Sequence, residues 1–405
     1  MKKLVFFVPE LDEDADLFCR LFQPDSQLEY LNINGCVLYL YNDQIKTSPQ
    51  LKYLSVEVEG MEPVFLLLKH LINLQEIKVK IRSQECIGQA APDTNGIKAC
   101  HALRSVTFTG WIKKFDHLES FFSTFGSTIE YIFLNIECRY YTIDGRRLEH
   151  GLLDKTPRLS SLDLIIFSPI ADDTPIQIET FQSLAWQKFN PVVYWIDSVS
   201  QQHTIFTFPY KSNHFPYLSA DFFPTWISNR PIKLSLNHVR TLSFIPTKSI
   251  KLETCILLQE VFPNITTVEL IPWIFNSLMY DEDEYEGITD SKLLADDLLV
   301  DTNIQLPSVR KLCIRKWSEV DDHRTFQRLL RLFPNLIDLE LYDEQNLFSE
   351  LLQHTYEADF VKNVLTRIKQ LKIEMDWDIT ALTHKEIDVL FPNAEKLIED
   401  YQSLG

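Results

Sequence analysis

Apolar residues recur along this chain in the pattern L-x-x-L-x-L, whose last positions alternate apolar and polar. Alternation with a period of two predicts a β-strand that buries one of its faces. The clearest copies are Leu28-Leu31-Ile33, Leu51-Leu54-Val56, Leu74-Ile77-Val79, Leu103-Val106-Phe108, Ile129-Ile132-Leu134, Leu159-Leu162-Leu164, Val239-Leu242-Phe244, Ile265-Val268-Leu270, Val309-Leu312-Ile314, Leu336-Leu339-Leu341 and Ile368-Leu371-Ile373, with a weaker one from Ala394 to Leu397. The chain is therefore built from one strand motif repeated along its length.

The spacing of these copies identifies the type of repeat. Most successive copies start 23 to 32 residues apart, and gaps of 80 and 44 residues interrupt the series. Repeats of about 20–29 residues with this apolar pattern are typical of leucine-rich repeats. A proline shortly before several copies is expected to end the preceding helix and lead the chain into the strand, as at Pro49, Pro157, Pro263, Pro307 and Pro334.

Helices are expected between the strands, where the apolar period lengthens toward 3.6. The pattern predicts helices at 64–71, 325–333, 348–367 and 385–391, and one that opens with a capping box of Asp116 and Glu119 and closes near Gly126. The predicted fold class is α/β: an irregular leucine-rich-repeat solenoid over residues 1–405, a horseshoe with a parallel sheet on its concave face and helices outside. The alternative is an ordinary doubly wound α/β domain.

The two long gaps are interpreted as insertions. Residues 167–238 are expected to contain a β-hairpin, because 192–196 and 204–210 are rich in aromatic and β-branched residues. Its aromatic residues form either a binding patch or a hydrophobic cluster against the repeats. Residues 272–305 are expected to form an acidic loop. A calcium loop starting at Asp281 would need glycine where Glu286 stands and glutamate where Lys292 stands.

The net charge and the cysteine pattern indicate which kinds of partner and which cellular location are favoured. A net charge of −18 disfavours contact with nucleic acid or with anionic membranes. The longest apolar runs are far shorter than the roughly 18 residues of a membrane span. Seven scattered cysteines without a Cys-x-x-Cys pair predict reduced thiols and an intracellular location, in the cytoplasm or nucleus.

Motifs for chemistry are not found in the sequence. It contains no phosphate-binding glycine loop, no Gly-x-Ser-x-Gly and no His-Glu-x-x-His. Cys100 and His101 are adjacent on an extended segment and would face opposite ways, so they are interpreted as a buried thiol beside a surface imidazole. Asp321, Asp322 and His323 are attributed to the start of the following helix rather than to a metal site. We therefore predict no catalytic residue, no cofactor and no metal, and hence no enzyme.

A protein partner is expected on the concave face, toward which the polar positions of each strand would point. Tyr30, Tyr53, Tyr131 and Phe133 are the expected anchors, since aromatic residues dominate many interfaces. The predicted binding set is Tyr30, Asn32, Tyr53, Ser55, Glu76, Lys78, Thr107, Tyr131, Phe133, Asp163, Lys311, Arg315, Asp338, Glu340, Tyr342 and Lys372.

The repeats preceded by Phe262-Pro263-Asn264-Ile265 and Phe333-Pro334-Asn335-Leu336 resemble the repeat region of F-box/leucine-rich-repeat proteins. Segments 143–149, 157–162, 181–186 and 204–210 are also similar to large invertebrate F-box-like families. The resemblance implies a substrate-recruiting subunit of a cullin-type ubiquitin ligase that binds Skp1. The N-terminal F-box itself is not recognised, because a strand already begins at Leu4, and a truncated product or a relative that lost the module is expected.

Three functions remain open on the sequence. The first is a substrate receptor of ubiquitin-ligase ancestry, and the second is a free-standing repeat scaffold, sensor or inhibitor. Both predict binding without turnover. The third is an enzyme whose site lies in residues 167–238, which a polar pocket with converging ionisable groups would reveal.

Overall fold

The computed structural model describes residues 2–7, 22–23, 26–38, 48–82, 100–138, 142–169, 177–197, 202–219, 226–245, 252–270, 305–314, 330–342, 363–375 and 384–400. They form a mixed α/β structure in which most strands are parallel. The chain divides into two compact units. Unit 1 comprises Met1–Ile196, Gln201–Pro209 and Trp226–Ile232, and unit 2 comprises Asp197–Ser200, Tyr210–Thr225 and Lys233–Gly405.

Unit 1 contains a ten-stranded sheet, here called sheet 1. Its first seven strands are parallel and lie side by side in chain order: β1 (Lys3–Phe7), β2 (Tyr30–Leu38), β3 (Tyr53–Glu59), β4 (Glu76–Arg82), β5 (Ser105–Ile112), β6 (Tyr131–Cys138) and β7 (Ser161–Pro169). The sheet continues as β9 (Gln202–Thr207), β8 (Val192–Asp197) and β11 (Ile227–Ser228), with β9 antiparallel to β7 and β11 antiparallel to β8. The helices of unit 1 are α1 (Glu62–His70), α2 (Phe115–Phe125) and α3 (Gly145–Gly151), with short 3-10 helices at Gly126–Thr128, Leu153–Lys155, Ile178–Phe181 and Trp186–Lys188.

Unit 2 contains a seven-stranded sheet, here called sheet 2. All its pairings are parallel, and from β12 onward they join neighbours in chain order: β10 (His214–Ser219), β12 (Thr241–Ile245), β13 (Thr267–Leu270), β14 (Lys311–Ile314), β15 (Asp338–Tyr342), β16 (Gln370–Met375) and β17 (Glu395–Asp400). Its helices include α4 (Leu252–Val261) and α5 (His384–Leu390), and residues 330–332 and 363–365 are also helical.

The strands keep one register across each sheet, so equivalent residues of successive repeats form rows. One row of sheet 1 runs through Lys3, Tyr30, Tyr53, Glu76, Ser105, Tyr131 and Ser161. The next polar row runs through Val5, Asn32, Ser55, Lys78, Thr107, Phe133 and Asp163. The intervening residues, such as Leu54, Ile77, Val106 and Ile132, are completely buried. The alternation read from the sequence is thus confirmed as the division between a core face and a polar face.

A second regularity lies in the turns before the strands. The amide Nδ2 of Asn73 donates to the carbonyl of Pro49, 24 residues earlier and one repeat back. Asn264, Asn335 and Asn393 make the same bond to the carbonyls of Asn237, Pro307 and Thr366. Each bond satisfies a turn carbonyl that the sheet ladder leaves unpaired, and so it ties one turn to the preceding one.

The core of unit 1 joins the inward strand residues to the apolar faces of the helices. Phe121 of α2 is completely buried and its ring lies against those of Phe65, Phe108, Phe122 and Phe125, with centroid separations of 4.9 to 6.1 Å. Such edge-on and tilted contacts are the preferred arrangements of aromatic rings. The cysteines described with their side chains, Cys100, Cys138, Cys255 and Cys313, are buried and free, as predicted.

The observed helices can be compared with those predicted for the segments between the strands. Helices α1 and α5 occupy the predicted segments 64–71 and 385–391 to within a few residues. The predicted capping box at Asp116 is wrong, because α2 begins at Phe115 and Lys114 occupies the cap without a side-chain hydrogen bond. Asp116 instead pairs with Arg147 of α3, and this ion pair gives its carboxylate a different role. Most of 325–333 and 348–367 lies outside the described residues.

The predicted insertions are described in part. In the first, 167–238, β8 and β9 are neighbouring strands that extend sheet 1 in its own plane. The acidic segment of the second, 272–305, lies outside the described residues, as do Asp321, Asp322 and His323.

Candidate functional site

The polar face of sheet 1 carries ten of the predicted binding residues. These residues lie on its two polar rows: Tyr30, Asn32, Tyr53, Ser55, Glu76, Lys78, Thr107, Tyr131, Phe133 and Asp163. Most of these side chains are half-buried, and Lys78 is exposed. The register of parallel strands thus brings residues from six strands, β2 to β7, onto one surface.

Tyr30 and Tyr53 lie directly opposite each other on β2 and β3. Their rings stack with parallel planes and centroids 4.0 Å apart. The ammonium of Lys3 lies 4.6 Å from the centroid of Tyr30, and that of Lys78 lies 5.4 Å from the centroid of Tyr53. A cation near an aromatic ring is attracted by the electron density of its face. Because the ring faces are occupied in this way, a partner would meet mainly the edges and hydroxyls of these two tyrosines.

Two of the tyrosines on this face have raised pKa values and keep their hydroxyl protons at neutral pH. Burial raises the pKa of Tyr53, and its hydrogen bond with Tyr30 raises it further. Burial also raises the pKa of Tyr131, with a further rise from the neighbouring carboxylate of Asp163. Burial alone would lower the pKa of Lys78, but its interactions with Tyr53 and Glu76 raise it. The face therefore carries neutral phenols and a lysine that is fully cationic near pH 7.

Strand β4 presents a line of cations. Its outward residues after Glu76 are Lys78, Lys80 and Arg82, whose side chains are 46%, 57% and 54% exposed. Lys78 pairs with Glu76 at 3.3 Å. Lys80 and Arg82 share one carboxylate, that of the buried Glu57, with Lys80 at 3.2 Å. Lys80 and Arg82 were missed by the sequence analysis because they lie beyond the L-x-x-L-x-L motif, although the same alternation continues through them.

Strand β6 presents two aromatic residues among small neighbours. Tyr131 lies between Ser105 and Ser161, its partners on the adjacent strands. Phe133 lies between Thr107 and Asp163 in the same way. A large side chain flanked by small ones rises above the sheet surface. These aromatic residues are therefore better placed than Tyr30 and Tyr53 to contact a partner.

Asp163 differs from the expectation that it is a contact residue. It occupies the predicted row, but it is only 3% exposed. Its carboxylate interacts with the neighbouring Tyr131. Asp163 is therefore a buried partner of Tyr131 on the adjacent strand rather than a contact residue.

The polar face of sheet 2 carries the remaining described members of the predicted set. Lys311 lies on β14, Asp338, Glu340 and Tyr342 lie on β15 and Lys372 lies on β16, whereas Arg315 lies outside the described residues. The Lys311 ammonium lies 2.5 Å from the Glu340 carboxylate, which also accepts a hydrogen bond from the Cys313 thiol at 3.1 Å. A shallow cavity of about 340 Å³ borders this region.

A chain of hydrogen bonds joins His214, Ser243 and Glu269 on the same sheet. Nε2 of His214 lies 2.6 Å from the Ser243 hydroxyl, which donates to Glu269 at 2.8 Å. These residue types occur in hydrolases, but there the serine proton is taken by histidine. Here that proton points to the carboxylate, and Ser243 is completely buried. The arrangement suits a structural bridge rather than a nucleophile.

The insertion at 167–238 was the predicted location for any catalytic site. Its buried pair is Tyr194 and His203, whose hydroxyl and Nδ1 are 2.7 Å apart. Burial lowers the pKa of His203 to about 4. Both residues are at most 1% exposed, so this pair has no open route to a substrate from solvent.

Among the described residues, no group of three or more histidine, cysteine, aspartate or glutamate side chains is arranged to hold a metal ion. Likewise, none of the described helices is long and apolar enough to cross a membrane. Cys100 and His101 face apart, the first buried with its thiol near the carbonyls of Leu71, Ile72 and Leu74, the second exposed.

Comparison with known proteins adds no family. No protein-family model matches the chain, and no curated protein is significantly similar to it.

Proposed function

We propose that this protein is a non-catalytic interaction module, a leucine-rich-repeat solenoid that binds another protein on the polar face of sheet 1. The observation that carries this proposal is the surface formed by β4, β5 and β6. There, exposed cations and half-buried aromatic residues from three successive repeats border a strip of small polar residues. Aromatic and arginine side chains are enriched where proteins bind one another.

The repeat architecture is supported by two independent regularities. Parallel strands follow one another in chain order through β1 to β7 and again through β12 to β17. The asparagine bonds of Asn73, Asn264, Asn335 and Asn393 recur at separations of 24 to 28 residues. A solenoid of stacked repeats explains both, since each repeat contacts chiefly its neighbours in sequence.

The proposed role in a ubiquitin ligase rests on a resemblance to a known family. The Phe-Pro-Asn turns are similar to those of F-box/leucine-rich-repeat proteins, and we therefore propose a substrate-recognition subunit of a cullin-type ubiquitin ligase. The alternative within the same class is a free-standing scaffold or sensor that does not bind Skp1. An enzyme with its site in 167–238 is less well supported, because the ionisable pair described there, Tyr194 and His203, is buried.

Affinity purification of the tagged full chain from its native cells, followed by mass spectrometry, tests the proposal. The wild type is compared with the double variant Tyr131→Ala/Phe133→Ala and with Tyr342→Ala, a half-buried aromatic residue on sheet 2. We expect partners that are lost in the double variant and kept in Tyr342→Ala. Partners unaffected by the double variant would contradict binding at sheet 1, and absence of Skp1 and a cullin would leave the free-standing scaffold.

A further inference from the structure

The surface between β4 and β6 runs along β5, whose outward side chains Ser105, Thr107 and Thr109 are shorter than their neighbours on either side. These three residues form its floor. Adjacent strands lie about 4.8 Å apart, so β4 and β6 are separated by about 10 Å. That separation matches the width of one extended peptide with its side chains. We call this surface the β5 groove.

The two sides of the β5 groove differ in chemistry. One side is formed by Lys78 and Lys80 on β4, which lie directly opposite Thr107 and Thr109. The other is formed by Tyr131 and Phe133 on β6, opposite Ser105 and Thr107. The groove therefore has Lys78 and Lys80 along one edge and Tyr131 and Phe133 along the other, with Glu76 across β5 from Tyr131.

The cationic edge keeps a positive surplus despite its ion pairs. Lys78, Lys80 and Arg82 are three cations, and they share the two carboxylates of Glu57 and Glu76. Glu57 lies under its partners with its side chain 7% exposed, whereas all three cations reach solvent. An approaching ligand therefore meets the positive ends of these pairs, in a chain whose net charge is −18. An anionic ligand complements this edge.

The floor also has capacity to bind backbone. Within the described part of the chain, no side-chain hydrogen bond engages Ser105 or Thr107. Their hydroxyls can therefore donate to, or accept from, peptide groups lying above them.

Resting on the interaction function proposed above, we propose that the β5 groove binds an extended peptide in which acidic and apolar residues alternate. In an extended chain, successive side chains point to opposite sides, and residues two apart are about 6.6 Å from one another. Lys78 and Lys80 are two apart on β4, and Tyr131 and Phe133 are two apart on β6. Carboxylates on one side of such a peptide thus meet the cations while apolar side chains on the other meet the rings.

A single-stranded nucleic acid also combines negative charge with groups that stack on aromatic rings. Two features favour the peptide. Glu57 and Glu76 lie within the cationic edge and repel a continuous phosphate backbone, and carboxylates spaced two residues apart can avoid them. The acidic chain as a whole also repels polyanions.

The test uses the full chain and a fluorescein-labelled octapeptide of alternating glutamate and phenylalanine or leucine. Fluorescence anisotropy gives its dissociation constant. Two further probes are a peptide of the same composition with its acidic and apolar residues in separate blocks, and an oligothymidylate. We expect the alternating peptide to bind at least about ten times more tightly than either.

Variants locate the binding. Lys78→Gln/Lys80→Gln and Phe133→Ala are each expected to weaken binding about tenfold. Lys3→Gln is the matched control, because it removes a cation from the same face at β1, outside the groove. It should change the dissociation constant less than about twofold. An equal loss in Lys3→Gln, equal binding of the block peptide or tighter binding of the oligonucleotide would overturn the proposal.

The purification experiment separates this inference from the broader function. If partners depend on Tyr131 and Phe133 but the alternating peptide does not bind, the peptide chemistry is wrong and the interaction function stands. If partners do not depend on these residues and the peptide does not bind, both proposals fail.

Discussion

The polar faces of sheet 1 and sheet 2 arise from the same register but present different chemistry. On sheet 2, Ser243, Glu269, Cys313, Glu340 and Lys372 follow one another along a single row. Their side chains are largely engaged with one another or with His214, Lys311 and Glu374. On sheet 1, several polar side chains also pair with one another, but no described side chain engages the hydroxyls of Ser105 and Thr107, and Lys78 and Lys80 are exposed.

We infer from this difference that a polar face formed by the repeat need not leave its groups open to a partner. Groups that satisfy one another across a row contribute to folding and have little left to offer a partner. Groups that remain open cost little stability and keep their capacity for binding.

The largest effect is expected in the core of unit 1. Phe121→Ala removes a ring that contacts four other phenylalanines, and we expect a loss of about 3–5 kcal/mol in the free energy of unfolding. Hydrogen–deuterium exchange with mass spectrometry would show reduced protection in peptides of unit 1. Phe215→Ala, at a buried ring beside Tyr210 and Phe262, should instead affect unit 2. Equal loss of protection in both units for either variant would contradict two separately stable units.

Acid should weaken unit 1 through His203. Its pKa is lowered from 6.5 to about 4 by burial, so the unfolded chain binds more protons between these values, and stability falls as the pH is lowered through this window. The shift corresponds to about 3 kcal/mol. His203→Gln should remove most of this dependence in urea unfolding measured at several pH values.

The corresponding loss in unit 2 should occur at lower pH. Burial would raise the pKa of Glu340, but hydrogen bonds from Lys311 and Cys313 outweigh this effect and lower it from 4.5. Its stabilisation is therefore present above pH 4.5 and lost below it. The unfolding midpoint of unit 2 is measured against pH in the wild type and in Glu340→Gln. A shift of this midpoint between pH 6.5 and about 4 that is the same in both proteins would argue against this assignment.

Gly110 tests the packing of the strand beneath the β5 groove. Its φ is +99°, and a Cβ there would overlap the carbonyl of Ile81 on β4. Gly110→Ala is expected to cost about 3 kcal/mol. Gly60→Ala is the control, since Gly60 also has a positive φ of +82° but faces only the flexible side chain of Glu62. Thermal unfolding should show a clearly smaller loss, about 1 kcal/mol, for the control.

The smallest effect compares two serines on the two polar faces. Ser243→Ala removes the hydroxyl that bridges His214 and Glu269, and should cost about 1–2 kcal/mol. Ser55→Ala, on a polar row of sheet 1, should change stability by less than about 0.5 kcal/mol. Urea denaturation of both variants checks this pair. Similar losses would show that the two faces do not differ in how they use their polar groups.

The sequence predicted the part of the fold that depends on the spacing of apolar residues along each strand. Alternation along each strand identified the core residues, such as Leu54, Ile77 and Val106, and the polar rows that contain Tyr30, Tyr53, Tyr131 and Phe133. It also located the turn prolines. These features are local, since a side chain's face follows from its parity along a strand.

Features that depend on contacts between repeats could not be predicted. The stacking of Tyr30 on Tyr53, the burial of Asp163 and the shared carboxylate of Glu57 each depend on which residues are neighbours across strands. The same holds for Asp116, which fitted a capping box by spacing but pairs with Arg147 of another helix. The asparagine of the Phe-Pro-Asn turns was visible as part of a motif, but its bond to the preceding turn was not.

We propose that a protein partner binds the polar face of sheet 1. A photocrosslinking amino acid introduced at position 107, on the floor of the β5 groove, tests this binding in native cells. The same amino acid at position 342, on sheet 2, is the control. We expect a crosslinked protein from position 107 that is absent from position 342. Crosslinking from position 342 alone, or the same products from both positions, would contradict it.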